Sequence, residues 1–335
     1  MVPLLFFVLS LAGLYFSGMS TGFVINEVMT RFVRDGVMVL ALIIPIRAGM
    51  GLNFAVVVGA MCAQVGLILA VDYQLSGLSG LCFITLTGVM LSLLTGYLIG
   101  RCLNRVRGKE MITTIIIGFV GTGIYQLVFM AGYGTVITPG NPEMMLSRGI
   151  GIRNMVDLEM FRNILDTIWL VTVGDVDVPI FMIMVVILFA MIIGYLGKTP
   201  MGQTFKAVSQ SNEKAMLNGI DTNRVRISAI MISTVLACFG HILYIQNIGM
   251  LNVYTAHLNT DIFSCAALLA GGASISKATI RHAFLGIILF HTLFIVSPQA
   301  GQNLFGNPAL GEYFRSFVAY GTIAFALMMS SSRKT

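Results

Sequence analysis

The chain has 335 residues, of which 57% are apolar and 10% charged, and its mean hydropathy is +0.90. A soluble domain carries roughly 25% charged residues, so this chain cannot cover a water-facing surface. A soluble enzyme, a disordered protein and a nucleic-acid binder are excluded, and the net charge of +6 fits basic residues gathered in cytoplasmic loops of a membrane protein.

Taking charges as boundaries between apolar runs, the sequence predicts an all-α, polytopic membrane protein: one transmembrane domain over 1–335 with about ten helices. The first, 2–24, lacks a basic leader and is longer than a signal-peptide core of about 7–15 residues, so it reads as a span. The second, 36–48, is short: residues 36–47 reach only about 18 Å, against an apolar core of about 30 Å. It runs into the break Arg47-Ala-Gly49-Met-Gly51-Leu-Asn53. Spans follow at 52–71, 77–100 and 111–133; Gly96-Tyr-Leu-Ile-Gly100 in the second of these is a helix-packing face.

Residues 134–177 form a long extracytoplasmic connection opened by turn signals. Within it, 155–169 has helical apolar spacing and predicts an interfacial helix ending near Trp169. A span at 178–197 leads into the longest polar stretch of the second half, 198–226, where Thr-Phe-Lys-Ala-Val-Ser-Gln-Ser-Asn-Glu-Lys-Ala-Met-Leu-Asn suits a helix stopped by Gly219. The last spans are 227–247, 262–276, 282–298 and 316–332. The segment 262–276 is again short and is interrupted by Gly271-Gly272. Broken backbone at membrane depth survives only against protein or water, so both interruptions point to a translocation pathway; tightly packed glycine kinks are the other reading.

Basic residues set the orientation. Arg101, Arg105, Arg107 and Lys109, then Lys198, Lys206, Lys214, Arg224 and Arg226, then Lys277 and Arg281, and finally Arg333 and Lys334 fall on one side of the ten-helix topology. That side is cytoplasmic by the positive-inside rule, which puts both termini there. Arg47, inside an apolar run, reads either as snorkelling to the interface or as a pathway or gating residue.

No catalytic set is visible. The five cysteines are scattered and read as unpaired, the four histidines form no metal-binding pair, and no metal is expected. Gly197-Lys198-Thr199 resembles the end of a phosphate-binding loop, but Ile192 stands where the first glycine is needed and a span precedes it. The chain is therefore expected to hydrolyse no ATP itself. No expected span has a carboxylate near its centre, which argues for an outside energy source over an ion-coupled carrier. A self-sufficient secondary carrier or channel is the alternative.

The segment 198–226 resembles membrane permeases of bacterial ABC importers of the ribose/simple-sugar, nucleoside and autoinducer-2 type, distantly similar to branched-chain amino acid permeases. Thr199, Gly202, Ala207-Val208, Asn212, Ala215 and Gly219-Ile220 match that family's cytoplasmic signature, with Ser209, Glu213 and Lys214 departing from it. Phe23-Val-Ile-Asn26-Glu-Val-Met resembles its first loop, and Ala48-Gly-Met-Gly51-Leu-Asn53 stands in the place of its Ser-Gly-hydrophobic-Asp-Leu-Ser element. Asp261 with Leu268-Leu-Ala-Gly-Gly272-Ala-Ser274 resembles its acidic residue followed by hydrophobic-Gly-Gly-Thr-Ser.

The resemblance implies a coupling helix within 203–219, with Gly202, Ala207, Ser209, Asn212, Glu213, Ala215, Asn218 and Gly219 facing an ATPase. It also implies a pathway near Arg47, Gly49, Asn53, Phe54, Asn259, Asp261, Gly271 and Gly272. The implied partners are two ATPase subunits or one tandem ATPase holding ATP and Mg, a second permease copy or paralogue, an extracytoplasmic binding protein and the lipid of a bacterial inner membrane. The implied solute is a simple sugar or a nucleoside.

Overall fold

The computed structural model describes residues 2–146 and 151–331. The tail charges Arg333 and Lys334, and part of the 134–177 connection, lie outside the described residues. The helices are α1 (Val2–Ser17), α2 (Thr21–Ala41), α3 (Ile43–Arg47), α4 (Val56–Asp72), α5 (Gly77–Arg105), α6 (Glu110–Leu127), α7 (Ile180–Leu196), α8 (Pro200–Gln210), α9 (Asn212–Leu217), α10 (Thr222–Asn247), α11 (Thr260–Ala270), α12 (Ile280–Phe305) and α13 (Pro308–Ser331). The fold is all-α apart from short strands, and each of the ten expected segments meets a helix.

By length and apolarity alone, α5, α6 with its π-helical continuation to Gly132, α10 and α12 can each cross a bilayer. A fifth crossing appears if α7 and α8, bent by 69°, are taken together. Of these four, α10 and α12 are the most enclosed. Around them α5, α4 and α2 pack on α10, and α1, α13, α2 and α11 pack on α12. α5, α6 and α7 turn apolar side chains such as Leu86, Phe119 and Met191 outward, as a lipid-facing surface requires.

The second expected span is corrected. It is not a short helix after a charged loop; it is the last part of the 21-residue α2, which carries Glu27, Arg31, Arg34 and Asp35 within the bundle. The charges are tolerated because they neutralise one another. Arg34 donates through Nε and Nη2 to Asp35 at 3.3 and 3.2 Å, and Arg31 lies 3.7 Å from Glu27 one turn away. Asp35, residue fifteen of α2, thus lies inside a helix of the bundle, although α2 is not among the helices apolar enough to cross a bilayer by themselves. The real breaks come at Gly18–Ser20, where Ser20 caps α2, and at Leu42.

The interfacial helix is also corrected. Met155–Asp157 is a strand (β1) paired antiparallel with Met250–Asn252 (β4), and 159–169 is a run of turns. The turns are held by long-range bonds that no local periodicity reveals: Asn163 N–H donates to Gln246 O at 2.7 Å, and the Gln246 and Asn247 amides donate to Asp166 at 3.1 and 3.0 Å. A hairpin of Leu170–Val173 (β2) and Val176–Pro179 (β3) then leads into α7.

The basic loops gather at one end. Arg226, opening α10, donates to Glu110 at 2.7 Å, to Asn104 Oδ1 at 2.9 Å and to Leu103 O at 3.2 Å. This buried fork ties α10 to the α5–α6 turn. Gly272 sits against Pro3, so the start of α1 lies at the same end.

Candidate functional site

At that end α8 and α9 lie across the bundle. Thr199 caps α8, Pro200 fills its first turn, and Ser211 caps α9. Gly202, Phe205 and Val208 form the buried stripe of α8. A Cβ on Gly202 would stand 2.1 Å from Leu196 O, so a glycine is required for α8 to fold back on α7. Of the expected coupling residues, Ser209, Glu213, Asn218 and Gly219 are exposed, Ala207 and Asn212 are half-buried, and Gly202 and Ala215 are buried. Sequence reading missed the tip: Leu217 is 87% exposed and Met216 56%, an apolar knob at a polar end. The signal was there, in two apolar residues at the end of a six-residue helix.

The expected pathway residues separate into groups. Arg47 donates to Ile193 O at 3.3 Å. Gly49 has φ +76°, and a Cβ there would meet the Ser209 Cα at 2.8 Å. The turn after α3 is thus pressed onto α8, and Arg47, at the end of α3, lines a cavity of about 690 Å³ with Lys206 of α8 and Lys277. Asn53 is buried in the core, donating to Ser233 Oγ at 3.2 Å and accepting from Ala55 N–H at 3.1 Å. Gly271 is a close approach: a Cβ there would fall 1.8 Å from His282 O, and one on Gly286 would fall 1.9 Å from Ala267 O, so α11 and α12 touch backbone to backbone. Gly272 has φ +93° beside Pro3.

Phe54, Asn259 and Asp261 do come together, around a cavity of about 300 Å³ completed by Phe119, Tyr320 and neighbours on α6 and α13. Their setting is the second break. After β4 the chain runs without regular structure from Val253 to Asn259 and then forms the 11-residue α11. Its polar groups are met by protein, as membrane depth demands. Tyr125 donates to Val253 O at 3.1 Å, Gln126 to Tyr254 O at 3.0 Å, and His257 bonds Gln64 at 2.8 Å. Two groups are not met: the buried Nε2 of His257 finds no partner among the described residues, and Asn259 is exposed with φ +63° and no side-chain bond to the helix it opens.

A bundle of apolar helices, broken in mid-course by hydrogen-bonded irregular backbone and carrying a cationic pair of short helices at one end, is the build of a membrane transport subunit. The sequence comparison is more specific. The chain belongs to the family described as branched-chain amino acid transport system / permease component, whose profile matches residues 8–327. It is 23% identical over 289 residues to the ribose import permease protein RbsC of Bacillus subtilis, covering 85% of this chain and 80% of that one. A probable ABC transporter permease protein, y4mJ, of Sinorhizobium fredii is 29% identical over 172 residues, 50% of this chain and 49% of that one. Another, YphD of Escherichia coli, is 30% identical over 115 residues, 33% and 34% of the two chains. No solved structure matches the chain.

Proposed function

We propose that this chain is a single permease domain, over 1–335, of an ATP-driven importer for a small polar solute, a simple sugar or a nucleoside. It sits in a bacterial inner membrane with its basic end and both termini in the cytoplasm. A separate pair of ATPase subunits, or one tandem ATPase, binds ATP and Mg and grips the α8–α9 surface. A second copy or paralogue completes the pathway, and a binding protein delivers solute to the opposite end. The observation that carries this reading is the α8–α9 pair itself, packed by one stripe, presenting a bare apolar tip, and pressed against the Gly49 turn.

The mechanism follows from those contacts. ATP-driven closure of the motor displaces α8–α9, and the turns at 47–51 and 272–279 move with them. Each motor state must favour one state of the membrane pair, or no work is transmitted. Phe54, Asn259 and Asp261 line or gate the route where α11 begins, and the exposed Asn259, whose side chain makes no bond to the helix it opens, fits a water-bearing path between two copies. Replacing Met216 and Leu217 by Asp in the reconstituted complex should abolish transport-coupled ATP hydrolysis while membrane insertion persists; hydrolysis that stays coupled would refute the assignment.

The carrier reading draws on Asp35, a carboxylate inside a helix of the bundle. It predicts ion-driven solute flux in liposomes holding this chain alone, and it leaves the apolar tip without a role.

A further inference from the structure

A cavity of about 320 Å³ lies between α2, α10, α12 and the start of α11, closed on one side by Arg315 of α13. Its size is at the lower end of small-molecule sites, roughly 300–1,000 Å³. Three arginines line it, Arg31, Arg34 and Arg315, against one carboxylate, Asp35. Asp35 is fully occupied: Arg34 holds it from one side, and the His291 Nε2 stands 3.3 Å away. The partners of the other two arginines, Glu27 and Glu312, are 40% and 56% exposed, where solvent weakens the pairing. The lining is therefore cationic.

Beside it lie polar atoms that have almost no accessible surface and make no hydrogen bond, although Arg31 also faces Glu27 at 3.7 Å. Both ring nitrogens of the fully buried His241 lack a hydrogen-bond partner among the described residues, as do the Nε of Arg31 and the Nδ1 of His291. A buried polar group left unbonded costs about 1–3 kcal/mol, and ionisable side chains inside spans are retained for function. The aromatic rings set the remaining shape. His241 is stacked on Tyr244 at 5.2 Å, the Arg315 guanidinium lies 5.0 Å over the Phe294 ring, and Phe263 and Phe290 complete an apolar wall.

We propose that this cavity is a solute station for a small organic anion, with the carboxylate taken by Arg31 and Arg315, hydroxyl or ring nitrogen groups by His241 and His291, and the body set on the phenylalanine wall. The proposal rests on the permease reading and refines its solute to an acidic one, such as a sugar acid. Thr260 and Leu258 carry the lining to the exposed start of α11, beside the cavity of Phe54 and Asp261, so the station opens toward the proposed route.

The test compares D-gluconate, an open-chain acid, with its neutral and mainly cyclic parent D-glucose, with D-glucitol as the neutral open-chain control, on the full chain in lipid nanodiscs by equilibrium binding and thermal unfolding. Gluconate should bind at least tenfold more tightly than either, about 1.4 kcal/mol. Arg31→Gln and Arg315→Gln should each remove that preference, Arg31→Lys should restore part of it, and His241→Phe should weaken binding. Unliganded unfolding midpoints separate a lost site from a misfolded chain, and protection of Arg31 from a dicarbonyl reagent by gluconate reads the site without any variant. Equal or tighter binding of glucose or glucitol, or gluconate binding unchanged in Arg31→Gln, overturns the anionic assignment. If no probe binds at millimolar concentration while the Met216/Leu217 substitutions still uncouple hydrolysis, the station is wrong and the permease reading stands.

Discussion

Residues 27–35 and 198–226 look alike in sequence, each a charged interval between apolar runs, yet one threads the bundle and the other lies across its end. The difference is in balance and in breakers. Glu27, Arg31, Arg34 and Asp35 carry two charges of each sign at helical spacing, so every charge finds a partner within a turn. The interval 198–226 sets Lys198, Lys206, Lys214, Arg224 and Arg226 against Glu213 and Asp221, an excess that cannot be neutralised locally. It also contains Pro200, Gly202 and Gly219, whereas Gly36 is the one breaker-type residue between Glu27 and Ala41. Charge in a membrane chain marks an interface only when it is unbalanced.

The largest break of this contrast comes at the exposed tip. Met216→Asp with Leu217→Asp should lower solute-coupled ATPase activity of the assembled complex by more than tenfold and leave the unfolding midpoint of the isolated chain unmoved; a drop in the midpoint would mean that the tip packs internally. Next is the root of the same interval. Glu110→Ala strands Arg226, which is 3% exposed, and should cost about 3–5 kcal/mol, read by thermal unfolding in detergent; the double change with Arg226→Met should recover much of the loss.

In the threaded interval, Asp35→Leu should cost about 1–2 kcal/mol, discounted because both partners are about one-fifth exposed, and Arg34→Leu/Asp35→Leu should cost less. Equal losses in the single and double variants would show that the pair does not neutralise itself. Gly49→Ala, forced into φ +76° against Ser209, should cost about 1–2 kcal/mol, visible as faster proteolysis within α8–α9. Smallest is Arg224→Gln, which removes a pair with an 88% exposed arginine and should change the midpoint by less than about 0.5 kcal/mol.

Most of the apolar segments, the break at Gly271-Gly272 and a helical stretch before Gly219 were legible because they rest on local composition, caps and breakers; the division of that stretch at Ser211 into α8 and α9 was not. The extent of α2 was not, since treating each charge as a boundary ignores pairing along a helix. The strand at 155–157 was hidden because its partner lies about 95 residues on. Phe54 and Asn259 could be grouped with Asp261 from the two breaks, but Asn53 went to the core through Ser233, a neighbour that sequence spacing does not supply. The cavity of His241 and Arg315 drew nothing from the sequence, because its residues come from five helices and none forms a motif.

The backbone contact between α11 and α12 has a mechanical consequence. With Gly271 and Gly286 leaving no side chain between them, the two helices are geared like meshed racks and cannot slide past each other without a steric clash. The start of α12 follows directly on the Ser274–Lys277 turn, which borders the same cavity as Ser209. Under the proposed coupling, a tug at the charged end would be carried to Asn259 and Asp261 through this backbone contact.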